Sequence, residues 1–193
     1  MCQIREVLHV ATTLAFDSLK IANNGTMKRI NSFELKHAEL AVDYRIATWV
    51  ASAPEVLTFA GRSLSYPFTA EQFFASAADR WETYVLQVGR DAVATGALED
   101  RCQSEMRIGR VLDAPAQRGN GVGRVMMEHL IDTAASRPGT QCITLSVFEK
   151  NSAACALYES FGFVDTDDRV AVKVHDPSRC FMRLSRSVLP QGR

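Results

Sequence analysis

The feature that most constrains the fold is a glycine-rich turn between a strand-like segment and an amphipathic helix. Residues 117–123 form the turn and carry glycines at 119, 121 and 123. One helical face then carries Val122, Val125, Met126, His129 and Leu130. Pro138-Gly139 ends the helix. The first amides of a helix lack intrahelical partners and lie at the positive end of its dipole, so this order of elements predicts an anion site.

The glycines favour a diphosphate as the anion. Glycine has no Cβ to keep an anion away from the backbone, and it permits positive φ. Arg118 and Arg124 can add charge-assisted contacts. A short glycine-rich turn can also simply reverse the chain, so the loop alone leaves both interpretations open.

Two other nucleotide-binding loops fit this segment poorly. A P-loop requires Gly-Lys-Ser/Thr for the terminal phosphates and the metal, and that triplet is absent from the segment. A dinucleotide-binding fingerprint requires a further glycine where this chain has Arg124.

A second pattern follows downstream. Residues 143–148 have apolar side chains on both faces, which predicts a largely buried strand. Asn151 or Ser152 can then cap a short helix that carries Tyr158 and ends at Gly162.

With both patterns in this order, the chain resembles the GNAT superfamily of acyl-CoA-dependent N-acetyltransferases. Residues 110–123 look like the pyrophosphate-binding motif of that family, and residues 147–163 look like its second core motif. The resemblance covers about residues 104–163, and the usual opening strand and helices of the family fit residues 28–98.

The resemblance implies a mixed α/β, three-layer α-β-α fold, with a mostly antiparallel central sheet of about seven strands and with four helices. We expect residues 27–190 to form a single N-acetyltransferase domain. Nothing in the family pattern accounts for residues 1–26, which we expect to be an extension that is disordered or lies upstream of the native start.

The implied reaction moves an acetyl group from acetyl-CoA to a primary amine of a small metabolite, an amino acid, or a protein or peptide. A non-catalytic acyl-CoA-binding or sensing module is the alternative. Neither requires a metal, and the four histidines lack the spacing of metal ligands.

The family binds the cofactor along the strand that enters the loop. Main-chain groups of Val111 and Asp113 would hold pantetheine, and an amide near Val111 or Leu112 would hold the thioester oxygen. Asp113 stands where the family usually has an apolar residue. The full set of implied cofactor-binding residues is Val111, Leu112, Asp113, Arg118, Gly119, Asn120, Gly121, Val122, Gly123, Arg124, Asn151 and Ala154.

Two catalytic residues are implied. Tyr158 matches the tyrosine that reaches the CoA sulfur as general acid, although a core tyrosine would fit the same position. Glu105 lies where some members carry a catalytic base, and it could instead be a strand-end carboxylate that pairs with Arg107 or Arg101. The alternatives for the base are Glu99, Asp100 and a relay through water.

Charge and cysteine usage limit the partners. The 22 basic and 22 acidic residues balance, so no large electrostatic attraction favours nucleic acid or an anionic membrane. The five cysteines are scattered and lack Cys-x-x-Cys spacing, which indicates reduced thiols in the cytoplasm. We expect a small-molecule or peptide amine as partner and leave open a homodimer.

The remaining periodicity predicts strands and helices around the two motifs. Strands are expected over 28–36, over 82–98 as two strands turned at 89–91, and over 104–112, 169–174 and 179–184. Helices are expected over 37–51 and from Thr69 to Ala78. Residues 53–67 should form a connection that lies on the surface or borders the acceptor pocket.

Overall fold

A computed structural model describes residues 20–23, 26–29, 33–39, 44–77, 80–102, 104–166 and 179–185. Its strands are β1 (Lys20–Asn23), β2 (Thr26–Arg29), β3 (Glu34–His37), β4 (Glu82–Val88), β5 (Asp91–Cys102), β6 (Glu105–Asp113), β7 (Cys142–Phe148), β8 (Val164–Asp165) and β9 (Arg179–Ser185). Its α-helices are α1 (Ala53–Ala60), α2 (Ala70–Ala75), α3 (Val122–Ser136) and α4 (Ser152–Ser160). Short 3-10 helices lie at Tyr44–Thr48, Gly61–Ser63 and Pro115–Gln117.

Within these described ranges, seven strands form one sheet in the order β3-β4-β5-β6-β7-β9-β8. β6 and β7 pair in parallel, with Arg107 opposite Thr144. The pairs β3–β4, β7–β9 and β8–β9 are antiparallel. With the four described α-helices, this sheet confirms the predicted mixed α/β class and its mostly antiparallel sheet.

A separate hairpin precedes the sheet. β1 pairs with β2 in antiparallel register, with Asn23 opposite Thr26. The predicted strand over 28–36 is therefore wrong as one element, because its start belongs to this hairpin and its end to β3. The expected boundary between residues 26 and 27 falls inside β2.

The chain divides into two compact units. The first contains the described residues up to Ala97 together with Arg110–Leu130, and the second contains Leu98–Gly109 together with the described residues from Ile131 onward. In the first unit, a core of aromatic and aliphatic side chains lies around the fully buried Phe73. The prediction of a single domain over 27–190 stays a prediction.

Helix α3 follows the predicted pattern. Val122, Val125, Met126 and Leu130 are each no more than 1% exposed. Glu128 is also buried, whereas Asp132 is exposed. The helix ends at Ser136, just before the Pro138-Gly139 pair, and Gly139 has a φ of +85°.

The segment before the first motif differs from its prediction. The helix expected over 37–51 is wrong, because the backbone is still a strand at His37 and the only helical turns described there are the 3-10 helix Tyr44–Thr48. Helix α1 was missed within residues 53–67. Its signals are local: the Ser52 side chain accepts from the Glu55 amide, Pro54 lies in the first turn, and Gly61 ends the helix with a φ of +66°.

The other expected elements agree where the structure describes them. Thr69 and Gln72 form a capping box at the start of α2. β4 and β5 turn at Gly89, and β9 occupies the last predicted strand. The strand expected over 169–174 lies outside the described residues.

Candidate active site

The turn between β6 and α3 has the backbone geometry of a phosphate cradle. Gly119 and Gly121 have φ values of +77° and +81°, which side chains disfavour. A Cβ at Gly119 would meet nothing within 4 Å, so conformation rather than space requires glycine there. The two glycines are exposed. Helix α3 begins at Val122, where the first amides have no intrahelical carbonyl to bind.

Gly123 serves a different purpose. A Cβ at this position would lie 3.0 and 3.2 Å from the two carboxylate oxygens of Asp113. The Gly123 N–H donates a hydrogen bond to that carboxylate. Burial raises the pKa of Asp113 to about 6, while this hydrogen bond and the charge of Arg118 oppose the rise. Asp113 therefore links the end of β6 to the first turn of α3.

The guanidinium of Arg118, a predicted phosphate ligand, is engaged with the segment before α1. Its Nη2 donates to the Trp49 carbonyl oxygen at 2.7 Å. Its Nη1 lies 3.6 Å from Glu55 Oε1, and the two side chains are 44% and 40% exposed. Such an exposed pair contributes about 0–1 kcal/mol, so a bound diphosphate could compete with Glu55 for the guanidinium.

Helix α4, in the second unit, carries the other predicted cofactor residues. The Asn151 Oδ1 accepts a hydrogen bond from the Ala154 amide at 3.3 Å, which confirms the predicted cap. Tyr158 is half-buried one turn further on, with its ring centroid 6.2 Å from that of Phe163. The ring is thus packed on one side, as both a positioned acid and a core tyrosine require.

The candidate bases lie at neighbouring strand ends in the same unit. Glu105, the first residue of β6, accepts a hydrogen bond from Thr144 Oγ1 at 3.0 Å. Glu99 on β5 is 3% exposed and lies 3.5 Å from Arg101 Nη1 and 3.8 Å from Arg107 Nη1. The arginine partners weighed for Glu105 therefore contact Glu99.

The described residues include no group of three His, Cys, Asp or Glu side chains placed to hold a metal ion. Within the same ranges, no helix is long and apolar enough to cross a membrane.

Comparison with known families identifies the family of this chain. The family model described as "Acetyltransferase (GNAT) family" matches residues 48–163, more than half of the chain. The chain belongs to the GNAT acetyltransferase family. It is an acetyl-CoA-dependent N-acetyltransferase, as its resemblance to that family implied.

Relatives of this GNAT enzyme act on different amines. The [ribosomal protein bS18]-alanine N-acetyltransferase of Salmonella typhimurium is 32% identical over 102 residues, which are 53% of this chain and 68% of that protein. The Escherichia coli ribosomal-protein-S18-alanine N-acetyltransferase structure has a TM-score of 0.59 at 22% identity, covering 84% of this chain and 97% of its own. The Vibrio cholerae spermidine N-acetyltransferase, in complex with CoA and spermine, has a TM-score of 0.62 at 16% identity, covering 80% and 96%. At these identities the two structures establish the fold alone.

The residues of the cradle fit the cosubstrate of a GNAT enzyme. Positive-φ glycines and a helix start lie together at the end of β6, where a diphosphate can meet backbone amides. The Campylobacter jejuni N-acetyltransferase PseH in complex with acetyl coenzyme A shares the fold, with a TM-score of 0.53 at 17% identity over 80% of this chain and 99% of its own.

Sequence reasoning missed Arg110. It is the one non-glycine residue with positive φ in the described part of the chain, at +54°, in the middle of β6. Its side chain is buried and donates to the Phe73 and Ser76 carbonyls at 3.3 and 3.0 Å and to Ser63 Oγ at 2.9 Å. Burial lowers its pKa to about 10, so it stays charged at neutral pH. These bonds fix the backbone just before Val111.

One signal could have found Arg110. In the alternation along β6 it occupies the face of Met106 and Ile108, both buried. An arginine in such a row predicts a buried, hydrogen-bonded cation, because an isolated buried charge is too costly.

Proposed function

We propose that this GNAT enzyme acetylates a primary amine of a small metabolite, an amino acid, or a protein or peptide. The observation that carries the proposal is the cradle itself: Gly119 and Gly121 at positive φ, followed by the start of α3 at the end of β6. Backbone amides of Gly119, Gly121 and Val122 would hold the CoA diphosphate, because the Asn120 amide donates to the Gln117 carbonyl and the Gly123 amide donates to Asp113. Main-chain groups of Val111 and Asp113 would hold pantetheine by adding a pseudo-strand to β6.

The reaction requires a neutral amine, a polarised thioester and a proton for the departing sulfur. The amine nitrogen attacks the thioester carbon while an amide near Val111 or Leu112 stabilises the developing oxyanion. The C–S bond then breaks, and Tyr158 donates its hydroxyl proton to the CoA thiolate. Since Glu105 lies six residues before Val111 on β6, about 20 Å away, the extra proton of the amine leaves through water, with Glu105 as a more distant acceptor. The Ala154 N–H already donates to Asn151 Oδ1. We therefore expect Ala154 to contact pantetheine through its side chain and not through its N–H.

The acceptor classes come from the chemistry and from the relatives. One relative is named for an alanine of ribosomal protein bS18 and one structural neighbour for spermidine. Both are primary amines, and the chain has no motif that chooses between them. We also propose a cytoplasmic location, which the scattered cysteines favour.

The test is the release of CoA from acetyl-CoA with a panel of amines, amino acids and peptides, detected as free thiol. Gly121→Val is the matched variant: a β-branched residue at a φ of +81° is strained and screens the amides. We expect amine-dependent thiol release by the native protein, and at least ten-fold weaker CoA binding by the folded variant in calorimetric titration. Unchanged CoA affinity in Gly121→Val would refute the cradle. CoA binding without thiol release for any amine would favour the alternative, a non-catalytic acyl-CoA-binding or sensing module.

A further inference from the structure

Arg110 combines two features that are uncommon in a strand. It has a left-handed φ of +54° within β6, and it is only 5% exposed. Glycine adopts such a φ without strain, so the conformation alone does not require an arginine. An apolar side chain would match Met106 and Ile108, which are buried on the same strand. The guanidinium group itself therefore has a purpose at this position.

The guanidinium joins β6 to two segments that precede it in the chain. Its Nη1 donates to the Phe73 carbonyl oxygen of α2 at 3.3 Å. Its Nη2 lies 3.0 Å from the Ser76 carbonyl oxygen and 2.9 Å from the hydroxyl oxygens of Ser76 and Ser63. The group also lies 5.5 Å from the centroid of the fully buried Phe73 ring. Since a guanidinium holds its donors in a fixed plane, acceptors on two segments fix both its place and its orientation.

This anchor acts on the backbone at the point where the thioester is expected. A strained φ persists only where its surroundings hold it, and such residues concentrate at active sites. A left-handed residue in a strand also re-aims the groups that follow it, as a β-bulge does. The next group along β6 is the N–H of Val111. That amide, or the amide of Leu112, holds the thioester oxygen in the proposed function, on which this step rests. Arg110, its acceptors and both amides belong to the first compact unit.

We propose that Arg110 is a positioning residue for the thioester carbonyl. Its hydrogen bonds to Ser63, Phe73 and Ser76 hold the left-handed backbone, and this conformation directs the following amide towards the thioester oxygen. Arg110 acts through the backbone in this role and not by contact with the substrates. The effect on rate is large, because a donor fixed in advance stabilises the developing oxyanion, and a misplacement of about 1 Å can cost about 100-fold.

The test measures the polarisation of the thioester carbonyl and needs no acceptor. Acetyl-CoA labelled with carbon-13 at the acetyl carbonyl is bound to the protein, and the chemical shift of its carbonyl is compared with that of free acetyl-CoA. A hydrogen bond to the oxygen draws electrons from the carbon and moves the signal downfield. We expect a downfield shift in the native protein and the loss of most of it in Arg110→Gly, because glycine permits the left-handed φ but does not hold it.

Turnover gives a second measurement. With an amine that supports thiol release, Arg110→Gly should lower kcat about 10- to 100-fold. The affinity for CoA should stay within about two-fold in calorimetric titration, because the cradle that binds the diphosphate begins at Gly119. An arginine with a structural role alone would behave differently. Its loss would lower the free energy of unfolding and leave both the carbonyl signal and the kcat of the folded protein unchanged.

A milder variant keeps the test decisive if Arg110→Gly does not fold. Ser63→Ala combined with Ser76→Ala removes the two hydroxyl acceptors and leaves the guanidinium with its two carbonyl acceptors. It should reduce the downfield shift and kcat in the same direction, by smaller amounts. Ser65→Ala, at an exposed serine near Ser63 in the chain, is the control and should match the native protein.

The outcomes separate this inference from the proposed function. A native carbonyl signal in the folded Arg110→Gly protein, or in the folded double variant, would overturn the inference and leave the acetyltransferase intact. A bound carbonyl with the signal of free acetyl-CoA in the native protein would overturn it too, because no amide would then hold the oxygen. Absence of thiol release with every amine, despite CoA binding, would refute the proposed function, and the carbonyl signal would still decide whether Arg110 positions the amide.

Discussion

Asp113→Asn should stabilise this protein at neutral pH. The native carboxylate is half-buried, with a pKa of about 6 against an ordinary value of 3.8. Between these two pH values the folded state binds more protons than the unfolded state, so the free energy of unfolding falls as pH rises. The difference between the two pKa values, 3.8 and about 6, corresponds to a loss of about 3 kcal/mol in the free energy of unfolding at pH values above 6. Asparagine cannot ionise, and its carbonyl oxygen can still accept the hydrogen bond from Gly123.

The expected gain in the free energy of unfolding is therefore up to about 3 kcal/mol at pH 7.5 and about 1.5 kcal/mol at pH 5, and it vanishes near pH 3. Urea denaturation followed by tryptophan fluorescence measures it, with the native protein and the variant compared at each pH. Asp100→Asn, at an exposed position on β5, is the control and should change stability by no more than about 0.5 kcal/mol. A variant that is no more stable at pH 7.5, or whose gain is the same at both pH values, would refute the burial argument.

The same substitution tests the cradle. The Asp113 carboxylate occupies the Gly123 amide at the start of α3, where the diphosphate of CoA is expected to bind. An ionised carboxylate there repels a second anion. Asp113→Asn should thus bind CoA at least as tightly as the native protein at pH 7.5 in calorimetric titration. Clearly weaker binding would mean that the negative charge itself is needed to shape the loop.

Three other substitutions address the remaining assignments. Tyr158→Phe should lower kcat about 10- to 10,000-fold with little change in CoA affinity if the hydroxyl is the general acid; a lower melting temperature with native turnover would indicate a core tyrosine instead. Arg118→Ala should weaken CoA by about 1–3 kcal/mol through lost charge-assisted contacts, whereas Glu55→Gln, which removes the competing carboxylate, should bind CoA at least as tightly as the native protein. Equal CoA affinities in all three proteins would mean that Arg118 only holds the Trp49 carbonyl.

Elements with strong local signals were predictable from the sequence. Helix α3 has a glycine-rich start, a clear apolar face and a Pro-Gly stop. Each of these signals depends only on residues that are close together in the sequence. The caps at Thr69 and Asn151 are equally local, because the capping side chain and the amide it binds are three residues apart.

Elements that depend on distant contacts were not predictable. The apolar spacing over 37–51 resembles a helix, yet its first residue, His37, pairs with Tyr84 of β4. That pairing depends on a strand more than forty residues later and not on local helix preference. The positive φ of Arg110 accompanies hydrogen bonds from its side chain to the carbonyl of Phe73 in α2 and to that of Ser76 just after α2, more than thirty residues earlier in the chain. No spacing rule within β6 contains that information, so a positive φ at an arginine could not be foreseen.

The three glycines of the loop are required for different physical reasons. By sequence, all three were assigned to the approach of a phosphate and to positive φ. Gly119 and Gly121 do adopt positive φ, and space around Gly119 is open, so only conformation restricts that position. Gly123 is restricted by the Asp113 carboxylate 3.0 Å from where its Cβ would lie. A side chain at 123 would therefore displace Asp113 before it reached any phosphate, and substitutions at 121 and 123 should fail for different reasons: the first through the backbone of the cradle, the second through the link between β6 and α3.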